Sequence, residues 1–505
     1  MSDSARGARP ASVPAGPAGD AGLAGQVRRG LAWSGLNSVA LRIGSLLTGI
    51  VLARLLAPED FGVYAIALTA QAVLVTLADL GLSADLVRAE RPEQRAPTVA
   101  TIALLAGSTL TVLMVVSAVP LATALGSAEA APVIAVLAFT LVLSGAGVVP
   151  YAKLQRGFEQ RKLFLVDGCG FVVSTGLSIC LVLLGSGPMA LAWARLAAQV
   201  VVVVLQFVLA RTRPRLGWDR VVARSAMRFG VPIALANTLS WALLNVDTVV
   251  VARLAGPVVL GFYVLAFNVS SWPMSAIGQA IRPVTLAAFA RRQDGDASES
   301  VARAVGLAAA VAFPAGTLLA VLALPVVTVV YGERWAAAAA ALAALGVFGG
   351  LRVVTDVLAT FLTARGAARA VLTVQVVWIV ALVPAMVLGT TSAGLAGAGW
   401  AHVVVAAALV LPAYLVASHR AGARAGAVLG SLWRPALASA GMAVPVLLVS
   451  RQADHPLGAV LLGGMVGVAA YAALVVPWVR RLLAPAAAAA AVPGTAPDRL
   501  PVASS

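Results

Sequence analysis

Five charged residues in this 505-residue chain sit deep inside long apolar runs, Arg42, Arg195, Asp247, Arg352 and Asp356, while Asp79 and Asp167 lie near the inner ends of theirs, within reach of water. A charge at membrane depth is costly, so it faces a cavity, a partner or water. Arg42, Arg195 and Arg352 come from both halves of the chain, and a cavity shared by the halves would be cationic. Such a cavity suits a phosphate or pyrophosphate, which a planar guanidinium engages through two parallel hydrogen bonds. These three are therefore the substrate-binding candidates. Arg352 and Asp356 are four residues apart, so pairing along one helix is the competing structural reading. Asp247 has no obvious partner on its own helix and, with Asp356, is a candidate for a proton or cation relay. Pairing of Asp247 with an arginine elsewhere competes with that role. His402 can also titrate, yet a hydrogen-bonded packing histidine is the better reading. Arg54 and Arg253, at the outer ends of their runs, can snorkel to the interface.

The elements that must hold these charges follow from composition. The chain is 61% hydrophobic and 11% charged, where a soluble domain carries about 25% charge. So little polar material cannot coat a water-facing globule, and the fold class expected is an all-α integral membrane protein. About 20 apolar residues cross the hydrocarbon. Fourteen such runs lie near 31–56, 61–81, 97–119, 131–149, 163–184, 188–210, 229–254, 258–281, 304–330, 336–363, 370–389, 393–417, 434–450 and 457–479. Pro314 and Pro325 make a kink plausible in the 304–330 run. Residues 1–27 and 485–505, rich in Ala, Pro, Gly and Ser without periodicity, read as disordered tails.

Charge in the loops orients the spans. The net charge is +16, carried by 34 Arg and two Lys against 20 acids. Of the 36 basic residues, 29 fall on one side of the fourteen spans and two, Arg334 and Arg451, on the other. The positive-inside rule then places both termini in the cytoplasm. Basic residues confined to short loops argue against nucleic acid as a partner. The outer loops are too short for an extracellular catalytic domain, and the first apolar run is too long for a cleaved signal peptide. Cys169 and Cys180 share one span, form no disulfide framework and read as small buried hydrophobes.

The chain also repeats itself. VLARLLAPEDFGVYAIA at 51–67 and VVARLAGPVVLGFYVLA at 250–266 agree at eight of seventeen positions. The matches include Arg54 with Arg253, Pro58 with Pro257, Gly62 with Gly261 and Tyr64 with Tyr263, which apolar composition alone does not supply. Six spans separate the copies, so the two units have the same orientation, an arrangement that in transporters places substrate between the halves. The expected organisation is a six-helix bundle over 28–210, a basic cytoplasmic linker at 211–228, a second bundle over 229–417 and a helix pair over 418–484.

Further motifs recur in order after the opening stretch RRGLAWSGLNSVALRIGSLLTGIVLARLLAPEDFGVYAIA: LADLGLSADLVR (77–88), PYAKLQRGFEQRKLF (150–164), NVDTVVVARLAGPVVLGFYVLA (245–266) and YGERWAAAAAAL (331–342). Together they resemble polysaccharide-type flippases of the multidrug/oligosaccharidyl-lipid/polysaccharide exporter superfamily, over roughly residues 28–480. The resemblance implies two six-helix bundles in a V-shaped arrangement plus a final helix pair. It also implies translocation of undecaprenyl-pyrophosphate-linked oligosaccharide repeat units across the plasma membrane for capsule, exopolysaccharide or another surface glycan. Membrane lipids, the lipid-linked oligosaccharide, a glycan polymerase and other assembly proteins are the partners so implied. The first bundle has few acidic residues, so no cation-coupling site is placed there. No nucleotide loop, zinc signature or nucleophile elbow occurs, so neither an enzyme, a cofactor nor a metal is expected. The alternatives are a drug or metabolite exporter on the same fold, a membrane glycan polymerase or ligase, and a non-transporting scaffold.

Overall fold

In hydrocarbon no water can bond a stray peptide group, so a spanning chain must satisfy its backbone within helices or closed barrels. The computed structural model describes residues 40–291 and 297–490, and among them every regular element is a helix. They run α1 (40–55), α2 (Pro58–Asp79), α3 (Leu82–Arg88), α4 (Pro92–Val116), α5 (Ala118–Ala124), α6 (Ala130–Arg156), α7 (Gln160–Leu183), α8 (Gly187–Ala210) and α9 (Arg220–Leu244). They continue as α10 (Val246–Arg291), α11 (Ser298–Val321), α12 (Ala323–Tyr331), α13 (Ala338–Ala364), α14 (Ala368–Val405), α15 (Leu411–Arg420), α16 (Ala425–Gln452) and α17 (Pro456–Ala490). Ten candidate spans among the described residues are long and apolar enough to cross a membrane. One of them, Ala368–Arg420, is 53 residues long and holds two of the expected spans. The expected disordered tail 1–27 lies outside the described residues. At the other end α17 continues to Ala490, into the stretch expected to lack order. Its run of alanines, the best helix former, accounts for the extension.

Two of these helices double back. Tyr263 bonds Asp247 at 2.8 Å, although sixteen residues of straight helix would part them by about 24 Å. The reversal is at Gly256, whose φ of 79° and ψ of 177° are open to glycine alone. In α14 the turn is at Ala393 and Gly394. There the limbs close so tightly that a Cβ on Gly389 or Gly397 would strike the other's carbonyl oxygen.

Proline acts differently at its two positions in the 304–330 run. Pro325 breaks it: α11 ends at Val321 and α12 begins at Ala323, because the ring of Pro325 cannot bond the carbonyl four residues back and clashes with it. Pro314 lies within an unbroken α11. It deprives the Ala310 carbonyl of its helical donor, and the Tyr471 hydroxyl of α17 donates there instead at 2.8 Å. Ala310, Ala438, Met442, Tyr471 and Val475 form a buried cluster around that bond, so α16 and α17, which lie outside the repeat, dock on α11.

The chain packs as two compact units. Among the described residues, the first takes 40–56, Ala70–Ala122 and Glu129–Ala242; the second takes Ala57–Thr69, Thr123–Ala128, 243–291 and 297–490. Within the first, buried Asp85 is held by Arg95 at 2.7 Å and Arg88 at 3.4 Å. Arg88 also lies 3.4 Å over the Phe229 ring, and Arg156 donates to the Ala89 carbonyl. Cys169 and Cys180 are exposed rather than buried. A small apolar side chain gains nothing by leaving hydrocarbon for a protein core, since lipid tails are equally apolar.

Within the second unit the repeat shows its physical purpose. A Cβ on Gly62 would collide with the Pro257 carbonyl, and a Cβ on Gly261 would collide with the Pro58 carbonyl. Proline 58 and glycine 62 are the repeat mates of Pro257 and Gly261. The two backbones therefore cross reciprocally, as an isologous contact does, through the small-residue spacing that lets membrane helices approach. Gly62→Ala and Gly261→Ala should each destabilise the purified protein by about 1–3 kcal/mol, read as a lower unfolding midpoint in detergent. Gly49→Ala, with nothing within 4 Å of its added Cβ, should leave the midpoint in place. A wild-type midpoint for Gly62→Ala would refute the crossing.

Candidate functional site

The polar interior of the second unit is built by three helices. The limb of α10 beyond Gly256 and one face of α13 enclose a cavity of about 340 Å³, within the range of small-ligand sites. Arg352, Asp356 and Thr360 follow one another at four-residue spacing on α13 and so share its face. Ser270, Ser271 and Ser275 of α10 oppose them. This lining offers a guanidinium, a carboxylate and several hydroxyls between helices that are otherwise apolar. No ion pair joins Arg352 to Asp356 among the described residues, so the simple i,i+4 pairing is not made.

Beside the cavity lies a buried chain of titratable groups. Asp247, Tyr263 and His402 are 5%, 1% and 3% exposed. The Tyr263 hydroxyl is 2.8 Å from Asp247 Oδ2 and 2.8 Å from His402 Nε2, while His402 Nε2 is 3.8 Å from the same carboxylate oxygen. One hydroxyl carries one proton. An ionised carboxylate only accepts, so Tyr263 donates to Asp247 and accepts from the protonated Nε2 of His402. Donation thus runs from His402 to Tyr263 and from Tyr263 to Asp247, which only accepts. Asp247 Oδ1 is bonded by the Thr248 backbone N–H at 2.8 Å. Phe348, a wall of the cavity, packs on the His402 ring with centroids 4.9 Å apart. Arg352 is near enough to act on His402 electrostatically, as Asp247 does.

Local sequence explains the placement. Asp247 lies in the first turn of α10, and the Gly256 reversal returns Tyr263 to its level. His402 arrives on the limb after Gly394, which the Gly389–Gly397 approach holds against its neighbour. Of the residues singled out in the sequence, the second unit thus gathers Asp247, Arg352, Asp356 and His402. Arg42, half-buried in α1, and Arg195, exposed on α8, belong to the first unit. His402 is indeed a buried, hydrogen-bonded histidine. What sequence reasoning passed over is Tyr263, seen there only as a repeat marker. A tyrosine sixteen residues after an intramembrane aspartate, across a glycine, was the available signal.

Comparison with known proteins places this architecture. A family model described as "Polysaccharide biosynthesis protein" matches residues 51–340, more than half of the chain. This chain belongs to the polysaccharide biosynthesis protein family. The match spans Asp247 and Tyr263 and ends before Arg352, Asp356 and His402. Among curated relatives of this polysaccharide biosynthesis protein is the lipopolysaccharide biosynthesis protein WzxC of Escherichia coli strain K12. It is 26% identical over 375 residues, covering 73% of this chain and 76% of the relative. The succinoglycan biosynthesis transport protein ExoT of Rhizobium meliloti strain 1021 is 28% identical over 320 residues, covering 61% and 63%. In fold, the chain is similar to the lipid II flippase MurJ in an inward closed conformation. The TM-score is 0.73 at 13% identity, over 90% of this chain and all of that one. An inward-facing multidrug resistance MATE transporter of the MOP superfamily matches at TM-score 0.60 and 19% identity, over 75% and 94%. The chain shares their all-helical membrane architecture.

Removing the central hydroxyl tests whether Tyr263 and Asp247 are coupled. Tyr263→Phe leaves Asp247 and His402 without their shared partner and should destabilise the protein by about 1–3 kcal/mol. Combined with Asp247→Asn, the loss in thermal unfolding should fall short of the sum of the single losses by at least about 0.5 kcal/mol. Strict additivity would show that the two groups do not interact.

Proposed function

We propose that this protein is a flippase that carries undecaprenyl-pyrophosphate-linked oligosaccharide repeat units from the cytoplasmic to the outer leaflet, by alternating access, for a surface polysaccharide. The observation that carries the reading is a member of a polysaccharide biosynthesis family whose helices are long and apolar enough for the bilayer. A protein of that build meets its glycan in lipid-borne form. Two relatives bear names that fit, a lipopolysaccharide biosynthesis protein and a succinoglycan transport protein. The excess of basic residues on one side of the spans supports a plasma-membrane protein with both termini in the cytoplasm. A glycan polymerase and other assembly proteins are the partners that would supply or consume the cargo.

In this mechanism Arg352 holds the pyrophosphate in the wet, hydroxyl-lined interior of the second unit, and Arg42 and Arg195 offer further anion contacts in the first. The guanidinium matches a phosphate oxygen pair in geometry and charge. Asp247, with Tyr263 and His402, is the relay that couples the cycle to a proton or ion gradient, and Asp356 is its second carboxylate. A proton arriving on His402 passes from Nε2 to the Tyr263 oxygen as the tyrosine proton passes to Asp247. That leaves a neutral imidazole, an intact tyrosine and a neutral acid. The step removes a buried charge pair, which is the kind of change that can bias one packing of helices over another.

Translocation of a lipid-linked oligosaccharide in reconstituted vesicles tests both parts. Replacing Arg42 and Arg352 together with Ala should slow transport by about ten- to a hundredfold, as expected for lost charge-assisted hydrogen bonds. Transport unchanged in the double variant would sink the cationic-site reading. Asp247→Asn should abolish the response of transport to an imposed pH gradient or membrane potential while the lipid-linked substrate still binds. A preserved response would remove the relay.

A further inference from the structure

The arginine-rich segment between α8 and α9 is no slack spacer. Lys162 Nζ donates to the Leu209 carbonyl at 3.2 Å. Arg211 takes the left-handed conformation at φ 48°, turning the chain out of α8. Thr101 Oγ1 then bonds both the carbonyl and the N–H of Gly217, at 2.9 and 3.2 Å, and Thr98 Oγ1 accepts the Asp219 N–H at 3.0 Å. The segment is therefore fastened to α4 at its far end, and the last turn of α8, from which it leaves, is tied to α7.

Beneath it lies a groove of about 530 Å³ within the first unit. Its floor is apolar, with Ala100, Leu104, Val149 and Phe207 among the lining side chains, and Arg211, Arg213 and Arg215 stand at its mouth. All three arginines are exposed, and none forms an ion pair among the described residues. One carboxylate, Glu93, also lines the groove, so three positive charges face one negative. Thr212 Oγ1 is buried at the same place with no hydrogen-bond partner among the described residues. Leu216 and Trp218 follow, 64% and 60% exposed. A tryptophan beside a large aliphatic, next to arginines and at the end of a span, is how membrane proteins meet the headgroup layer.

We propose that this groove binds an anionic phospholipid of the surrounding bilayer, its headgroup phosphate held by Arg211, Arg213 and Arg215 and one acyl chain lying over Leu104 and Phe207. The occupant must be amphiphilic because the site is: cationic at the mouth and hydrocarbon-like within. It must be anionic because unpaired guanidinium groups outnumber the one acid. Basic pockets between membrane helices select such headgroups on electrostatic grounds. Neither the cavity of the second unit nor the transport reading enters this assignment. A fixed annular lipid here ties the Thr98–Thr101 clamp, and with it the start of α9, to the charge of the membrane.

The test uses full-length purified protein in a neutral detergent, titrated separately with phosphatidylglycerol and with phosphatidylcholine, with bound lipid counted by native mass spectrometry. Wild type should prefer phosphatidylglycerol by at least about tenfold. The triple variant Arg211→Gln, Arg213→Gln, Arg215→Gln should lose that preference. A charge-matched control, Arg220→Gln, Arg224→Gln, Arg228→Gln, should retain it, which separates this groove from net charge. Equal loss in both triple variants, or retention in the first, overturns the proposal. A third titration with undecaprenyl pyrophosphate distinguishes bilayer lipid from cargo. If that lipid binds at the groove tenfold more tightly than phosphatidylglycerol, and the first triple variant abolishes the difference, the site belongs to the cargo and the phospholipid assignment falls.

Discussion

Every peptide group of this chain at membrane depth must find its partner in protein, because hydrocarbon has no hydrogen bonds to give. That requirement decides more of the structure than any side chain does. It restricts the described residues to helices and makes each departure from a helix an event with an identifiable repair. Pro314 frees a carbonyl, and Tyr471 of the last helix answers it. Pro325 cannot be repaired in place, so the helix stops and restarts. The reversal at Gly256 falls on glycine, the one residue whose backbone enters that region without strain.

Apolar side chains supply little discrimination in such a solvent, because lipid is as welcoming as a core. Two other terms then take over. One is close approach of backbones, which only glycine allows, as at Gly62 with Pro257 and Gly389 with Gly397. The other is the matching of polar groups that lipid would strand. Asp247, Tyr263 and His402 bond one another, because none has a solvent to fall back on. Each fixes the others: the hydroxyl orders the two bonds, and the carboxylate orients the hydroxyl. The same group is thus a packing element and a titratable one. Three helical segments meet at it: the two limbs of α10 and the limb of α14 that carries His402.

Much of this was legible in sequence, and the parts that were not share a cause. Spans announce themselves by composition, since about 20 apolar residues are needed for each. The repeat announces itself by Arg, Pro, Gly and Tyr, types that an apolar background does not produce by chance. Asp247 and Arg352 stand out for the same reason. What could not be read was pairing across space. Tyr263 looked like a repeat marker, and nothing in the order of residues brings His402, 139 positions later, to its hydroxyl. Arg88, Arg95 and Arg156 were legible as topological charge. Their work of holding Asp85 and capping the end of α3 depends on which helices meet. The two cysteines were misjudged because burial rules learned from water do not carry into lipid.

The repeat itself shows how scaffold and chemistry separate. At the shift that aligns the two copies, Pro58 and Gly62 meet Pro257 and Gly261, and both members of each pair are used in one reciprocal crossing. Tyr64 and Tyr263 are likewise kept. Extending the same register backward sets Thr48 opposite Asp247. In the first unit Thr48 makes a neutral bond, 3.1 Å to the hydroxyl of Thr175. In the second unit the equivalent position holds the carboxylate that receives the Tyr263 proton. Residues that let helices touch are therefore present twice, because a symmetric contact needs both halves. The carboxylate at this position is present in one copy alone, because a buried charge is costly and His402, which completes its hydrogen-bonded group, lies outside the repeated segment. The repeat thus conserves the backbone crossing and not the carboxylate: where one copy carries Asp247, the other carries the neutral Thr48.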